Sequence, residues 1–356
     1  MSAVIVQLKQ ESTKASSPSG LWLLSLQLSR VAVALTLVVV LLGGWTRLND
    51  AGLSCPDWPG CYGELVLPAN ANASGLALAQ SRFPQVPLDL ARSWIEMSHR
   101  YLAATLGLII AALTVLAWRQ RAQSGYPVVL SGALLGLVVL QALFGMWTVT
   151  LKLLPQVVTL HLLGGVLTLA LLWRLQQRLR LLVKGRSAAA RSPYKAGIGL
   201  GVVVLLIQIG LGGWTSSNYA GWSCSHWLFC ESNQTPRLDF TAGFSLPSVD
   251  QRSHQGGQLP REARAAIQMT HRGAGLMLAG YLLGLSVWLF RRAALRRATG
   301  LVLLLLTLQL LLGGLSVQFG LPLWLAFAHH TGAVMLLLAL LRLYAHPGVI
   351  EEKNHG

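Results

Sequence analysis

The chain has 356 residues, of which 53% are hydrophobic and only 11% charged, and its formal net charge is +16. Water-soluble domains carry roughly 25% charged residues, so the composition excludes an ordinary soluble globule and makes a lipid bilayer the expected solvent. The basic residues lie between long apolar runs and not along one amphipathic face, which points to membrane topology and away from a nucleic acid partner.

Crossing about 30 Å of hydrocarbon takes about 20 residues. Runs of that length occur near 27–47, 93–118, 127–149, 156–177, 196–216, 264–290, 299–319 and 323–343. The expected fold is an all-α integral membrane protein of eight transmembrane helices, arranged as two parallel-repeat four-helix bundles. The first 20 residues are polar and mixed, residues 1–25 are expected to form an N-terminal segment before the first span, and no small-residue cleavage site follows that span, which is therefore read as retained. A first bundle over 26–180 and a second over 196–345 are joined by a basic linker, 181–195, and followed by a tail, 346–356. Cytoplasmic loops carry the excess of Lys and Arg. Arg174, Arg178, Arg180, Lys184, Arg186, Arg191 and Lys195 between spans four and five, and Arg291, Arg292, Arg296 and Arg297 between spans six and seven, mark that side. Both termini are then cytoplasmic. The long loop bearing Asp50, Asp57, Glu64 and Asp89 and the mixed loop near 217–263 face outward, to the periplasm or its equivalent.

An internal repeat organises the chain. Gly43-Gly44-Trp45-Thr46 with Cys55 and Cys61 recurs as Gly212-Gly213-Trp214-Thr215 with Cys224 and Cys230, at an offset of 169. Ile95-Glu96-Met97-Ser98-His99-Arg100 recurs as Ile267-Gln268-Met269-Thr270-His271-Arg272 at 172, and Gln141, Gly145 and His161 recur as Gln309, Gly313 and His329 at 168. Four spans per repeat is an even number, so the two copies enter the membrane from the same side. Gly145-Met146-Trp147-Thr148 and Gly313-Gly314-Leu315-Ser316 echo the Gly-Gly-Trp-Thr blocks, and suggest a helical hairpin as the smaller unit. The glycines suit close approach of a helix or flat ligand, or ordinary small-residue packing.

Four of the nine histidines, His99, His161, His271 and His329, sit at matching places in the even-numbered spans, roughly 8–10 Å inside their outer ends at 1.5 Å per residue. Ionisable residues inside spans are functional candidates. Two per half, on different helices, can face each other across a cofactor, which suits axial ligation of heme iron; a neutral histidine bonded to a neighbouring helix is the alternative for each. Zinc or copper usually needs three or four close ligands, and only Glu96 and His330 stand near the pairs. His330 points about 100° away from His329 on its helix and is read as a helix-contact residue. His226, His254, His346 and His355 are expected to be solvated.

Glu96 lies three residues before His99, on the same helical face, and its counterpart is the uncharged Gln268. The difference suggests proton-coupled chemistry in the first half and a cofactor that only passes electrons in the second; orientation of an imidazole or pairing with Arg100 is the alternative. All four cysteines, Cys55 with Cys61 and Cys224 with Cys230, fall in outward loops, where such pairs usually oxidise. Each disulfide contributes roughly 2 kcal/mol in the chain-entropy model. A thiol pair that relays electrons or holds substrate is the functional alternative, with zinc ligation weaker than either.

The Gly-Gly-Trp-Thr-Arg block with Gly52-Leu53-Ser54-Cys55-Pro56-Asp57-Trp58-Pro59-Gly60-Cys61, Glu96-x-x-His99-Arg100, His271-Arg272, His161 and His329 resemble heme A synthase of the bacterial type with cysteine pairs, over about residues 25–345. Ser225-His226-Trp227-Leu228-Phe229 between the second pair departs from the pattern. The resemblance implies oxidation of a methyl group of heme O to the formyl group of heme A, with Glu96 catalytic, His99 and His161 binding the substrate heme, and His271 and His329 as axial ligands of a heme b cofactor. It implies a bacterial inner-membrane location, and heme O synthase and cytochrome oxidase assembly proteins as partners; it assigns no redox partner. A diheme b-type electron-transfer protein and a thiol:quinone oxidoreductase are the rival readings.

Overall fold

Hydropathy marks where a helix meets lipid, not where it ends, and the helices outrun the apolar runs that announce them. The computed structural model describes residues 20–67, 80–185, 193–226, 230, 237–249 and 252–346. Its long helices are α1 Gly20–Leu48, α2 Leu90–Arg119, α3 Val128–Thr150, α4 Pro155–Val183, α5 Pro193–Ser217, α6 Arg261–Phe290, α7 Arg296–Gln318 and α8 Leu323–Tyr344. All eight coincide with helices long and apolar enough to cross a membrane. The chain is thus an all-α, multi-pass membrane protein. Helix α1 begins inside the segment expected to precede it, and α4 continues through Arg174, Gln176, Gln177, Arg178 and Arg180, whose straight side chains favour helix even beyond the hydrocarbon. Residues 1–19, 186–192 and 347–356, with Arg186, Arg191 and His355, lie outside the described residues, as do Trp227, Leu228 and Phe229.

Proline sets several helix starts, since its fixed φ and missing N–H cost nothing there. Pro155 opens α4, and Pro127, Pro260 and Pro322 stand immediately before α3, α6 and α8. Helix α2 is instead capped by Asp89, whose side chain accepts the Arg92 N–H.

Packing falls into two sets of four. Helix α1 contacts α2 and α4, and α3 contacts the same two; α5 contacts α6 and α8, as does α7. Contacts of α4 with α5, α1 with α8 and α4 with α8 join the sets. The joint is apolar: Val40, Val166 and Leu169 from the first set share one cluster with Leu205, Ile209, Val334 and Leu337 from the second. Lipid removes the usual hydrophobic drive between helices, so this joint rests on close van der Waals packing.

The backbone repeats its irregularities as well as its sequence. Left-handed φ occurs at Asp50 and at Tyr219, each just after the first helix of its set. It recurs in the turns before α4 and α8, at Lys152 and Leu153 and at Gly320 and Leu321. In those turns Leu153 N–H donates to Thr148 O at 2.8 Å and Leu321 N–H to Ser316 O at 2.6 Å. One end of the bundle therefore carries both tight turns and both cysteine loops.

Candidate functional site

The four histidines meet in two pairs. The rings of His99 on α2 and His161 on α4 are 6.4 Å apart between centroids with planes at 88°, and those of His271 on α6 and His329 on α8 are 6.4 Å apart at 89°. Counted from helix ends the depths are unequal, because α2 and α6 start about one turn further out than α4 and α8. The expected 8–10 Å depth therefore holds only for α4 and α8; the rings are level all the same. Each of the four histidines keeps some accessible surface.

A glycine seats each ring. A Cβ placed on Gly43 of α1 would lie 2.9 Å from His99 Cε1, on Gly212 of α5 3.2 Å from His271 Cε1, and on Gly313 of α7 3.1 Å from His329 Cε1. On Gly145 of α3 it would meet His161 Cε1 at 3.5 Å. The glycines left open between ligand approach and helix packing are thus imidazole seats, one for each consecutive helix pair. The second glycines act differently: Gly44 faces His330, and Gly213 faces Leu162 and Thr159, across the joint.

His330 occupies the repeat position of Leu162 and turns away from the His271–His329 pair. Its Nε2 lies 3.3 Å from Val40 O on α1, which makes it a contact between the halves, as expected.

Two metal–imidazole bonds of about 2 Å, plus half a ring on each side, span about 6 Å. The 6.4 Å pairs therefore fit one iron between each two rings. The nitrogens behave accordingly. His161 Nδ1 is buried with no hydrogen-bond partner; His99 and His329 Nδ1 make no hydrogen bond of standard geometry, with the backbone of Val39 and Gln309 beside them. His271 Nδ1 alone meets a side chain, the Gln208 amide nitrogen at 3.1 Å.

Glu96 is 4% exposed and clamps the first cysteine loop. Its Oε2 accepts the Cys55 N–H at 2.9 Å and its Oε1 pairs with Arg100, so the pairing weighed as an alternative is present. Arg100 in turn donates to the carbonyls of Asp57 and Gly60, and Ser93 donates to Ser54 O. Gln268 does the same work in the second half, accepting from Ser223 Oγ at 3.0 Å and donating to Gly221 O at 2.8 Å.

Both cysteine pairs are disulfides within their own loops. Cys55, Cys61 and Cys230 have no exposed surface, and Cys224 is 3% exposed. The first loop packs Tyr62 and Leu67 with Phe83, Trp94, Met97 and Tyr101. Burial raises the Tyr62 phenol above its usual pKa, helped by Asp89 and Glu96.

A second expectation fails, at His254. His254 is buried at 6% exposure, not solvated, because its stretch folds back on the other half and its N–H donates to Lys152 O at 3.0 Å. His226 is exposed and His346 half-buried.

Sequence reasoning missed the contacts between halves. Arg47 donates to Ser216 O at 2.6 Å, pairs with Asp50 at 3.0 Å, and stacks over Tyr219 with its guanidinium carbon 4.2 Å from the ring centre. Tyr219 donates to Asp50 Oδ1, and Trp45 meets Phe327 edge-on at 5.1 Å. It also missed Gln208, whose mismatch with Val39 in the repeat alignment was the available signal.

Two histidine pairs inside a multi-pass bundle, at a spacing that fits one metal ion, suit a membrane protein that binds a metal-containing cofactor. Residues 27–341 match the COX15-CtaA family, cytochrome oxidase assembly protein, and the chain belongs to that family. It is similar to the heme A synthase of Shewanella oneidensis, 39% identical over 90% of this chain and 94% of that one. The heme A synthases of Beijerinckia indica subsp. indica and Sphingopyxis alaskensis are 30% and 28% identical, over 89% and 88% of this chain and 89% of each relative.

Proposed function

We propose that this chain is a heme A synthase, an oxidoreductase of the membrane that converts a methyl group of heme O to the formyl group of heme A for cytochrome oxidase. The observation that carries the reading is the two imidazole pairs at iron-spanning distance in a chain of this family. The first four-helix unit, 26–180, would bind the substrate heme through His99 and His161, and the second, 196–345, would hold a heme b through His271 and His329. When bound, that heme b supplies one-electron transfer.

Counted with water as the oxygen source, each of two oxidations of the methyl adds one oxygen atom and removes two electrons and two protons. The products are an alcohol and then a hydrated aldehyde that sheds water, and the electrons pass to an acceptor outside the chain. Glu96 is the proton acceptor. Arg100 and the backbone N–H groups of Cys55 and Ser54 fix its carboxylate, and these three bonds leave one of its about four lone-pair sites open. The buried first loop covers this carboxylate and excludes water from it. Lys and Arg placement supports a cytoplasmic side for the termini and the basic linker and an outer side of a bacterial inner membrane for the cysteine loops. Heme O synthase, which delivers the substrate, and cytochrome oxidase assembly proteins, which take the product, are the partners.

The near-identical ring geometry of the two pairs favours, taken alone, a permanent two-heme electron carrier. Expression with and without a source of heme O, followed by chromatography of the extracted hemes, decides between them. The synthase yields heme A and its alcohol precursor only when heme O is supplied; heme b alone under both conditions would establish the carrier. Burial of all four sulfurs weighs against the thiol:quinone oxidoreductase.

A further inference from the structure

The two imidazole pairs match in spacing and angle but not in what stands behind them. Gln208 on α5 places its amide nitrogen 3.1 Å from His271 Nδ1 and 2.9 Å from the His271 carbonyl oxygen. It reaches both because the neighbouring residue on α6 is Gly275, where a Cβ would lie 3.1 Å from that nitrogen. At the equivalent places in the first half the repeat puts Val39 and Ala103. Side chain and gap are therefore present together in one half and missing together in the other.

We propose that Gln208 is a positioning residue that locks His271 and makes the second site a retaining one, whereas the first site, with Val39 in that place, is built to release its heme. This rests on the assignment of the two sites made above.

The chemistry follows from the ring's two nitrogens. Ligation through Nε2 requires the proton on Nδ1, and an acceptor for that proton fixes the tautomer and strengthens the ring as a ligand. As placed, the Gln208 amide nitrogen donates to the His271 carbonyl and stands against Nδ1; its Oε1, buried with no hydrogen-bond partner, becomes the acceptor for Nδ1–H by a turn of the amide that breaks that bond and a shift that carries Oε1 clear of the carbonyl oxygen. Among the described residues no side chain bonds Nδ1 of His99 or His161, and His99 has only the Val39 backbone beside it. A cofactor that stays needs the extra hold; a substrate that leaves as product does not.

The test uses the purified full-length protein loaded with heme b, and reads heme loss to an excess of a heme-scavenging apoprotein, the midpoint potential, and the low-spin resonance spectrum. Gln208→Val copies the first half. It should release heme b about 10-fold or more faster, since removing such a partner typically costs 10–100-fold in metal affinity, and its potential should rise as the ligand weakens. Gly275→Ala should show the same changes in milder form by displacing the amide, and Gln208→Glu, which keeps an acceptor, should restore slow release. Wild-type release, potential and spectrum in Gln208→Val overturn the proposal; if that variant does not accumulate, the same result in Gly275→Ala does so. Retention of low-spin heme b by both His271→Ala and His329→Ala would instead overturn the site assignment itself.

Discussion

Glu96 and Gln268 hold down the two cysteine loops from the same position with different chemistry. In the first half a carboxylate accepts the Cys55 N–H; in the second an amide bonds Gly221 and Ser223. The comparison shows that clamping the loop does not require charge. A neutral amide serves in the second half, so the carboxylate of the first answers a need that the clamp alone does not create. Stability is a poor candidate for that need, because a buried ion pair returns little after desolvation. Proton transfer during methyl oxidation is the better one.

The largest effects should come from dividing the histidines by half. His271→Ala and His329→Ala should each abolish or convert to high spin the low-spin heme b spectrum. His99→Ala and His161→Ala should keep that spectrum and lose conversion of heme O. Loss of heme b from the first pair of variants and the second alike would erase the distinction between the sites.

Next, Glu96→Gln imports the second half's solution into the first. The amide can still bond the loop, so protein yield and heme b should hold, while heme A formed per heme b falls by about 10²-fold or more, the usual contribution of a general acid or base. A ratio near wild type would falsify the catalytic role. Gln268→Glu should leave the ratio unchanged.

A graded series on the glycines sharpens the seating. Ala at Gly43 sets a methyl 2.9 Å from His99 and should impair conversion most in the first half, whereas Ala at Gly145, at 3.5 Å from His161, is ordinary contact and should be tolerated. In the second half Gly313→Ala and Gly212→Ala should lower heme b per protein, and Gly314→Ala, with nothing within 4 Å, serves as the control. Equal behaviour of Gly313→Ala and Gly314→Ala would remove the seating argument.

The smallest effect concerns the joint. Burial, the first cause, and the bond to Asp50 raise the Tyr219 phenol above its ordinary pKa near 10, against the lowering influence of Arg47. The folded protein thus prefers the neutral phenol, and that contribution is present below pH 10 and lost as pH climbs past it. Thermal unfolding followed from pH 8 to 11 should show a steeper alkaline fall in wild type than in Tyr219→Phe. Parallel curves would show that the phenol does not titrate against folding.

Spans, repeat, histidine quartet and cysteine pairs were legible because each is a one-dimensional property: the length of an apolar run or a fixed spacing between like residues. The extra turns of α4 were not, since polar residues with good helix propensity carry no hydropathy signal; those of α1, Gly-Leu-Trp-Leu-Leu-Ser-Leu, are apolar but lie beyond the roughly 20 residues a crossing needs. His254 was misjudged because its burial depends on a loop folding against the opposite half. The glycines were noticed, but choosing among their roles required knowing which ring lay opposite.

The joint between the halves bears on how such a chain can arise. Asp50 touches Tyr219 and Arg47 touches Ser216, each 169 residues on, so each position meets its own repeat counterpart. Surfaces that meet in this way are those of a two-fold dimer, where a residue faces its own copy. Two copies of the first half would set Asp50 against Asp50 and Arg47 against Arg47, like charges opposed. The contact seen here exists only between unlike partners on one polypeptide. Asp50 and Arg47 therefore suit the first half to a partner that carries a tyrosine and a serine in their places, and bar it from pairing with its own copy.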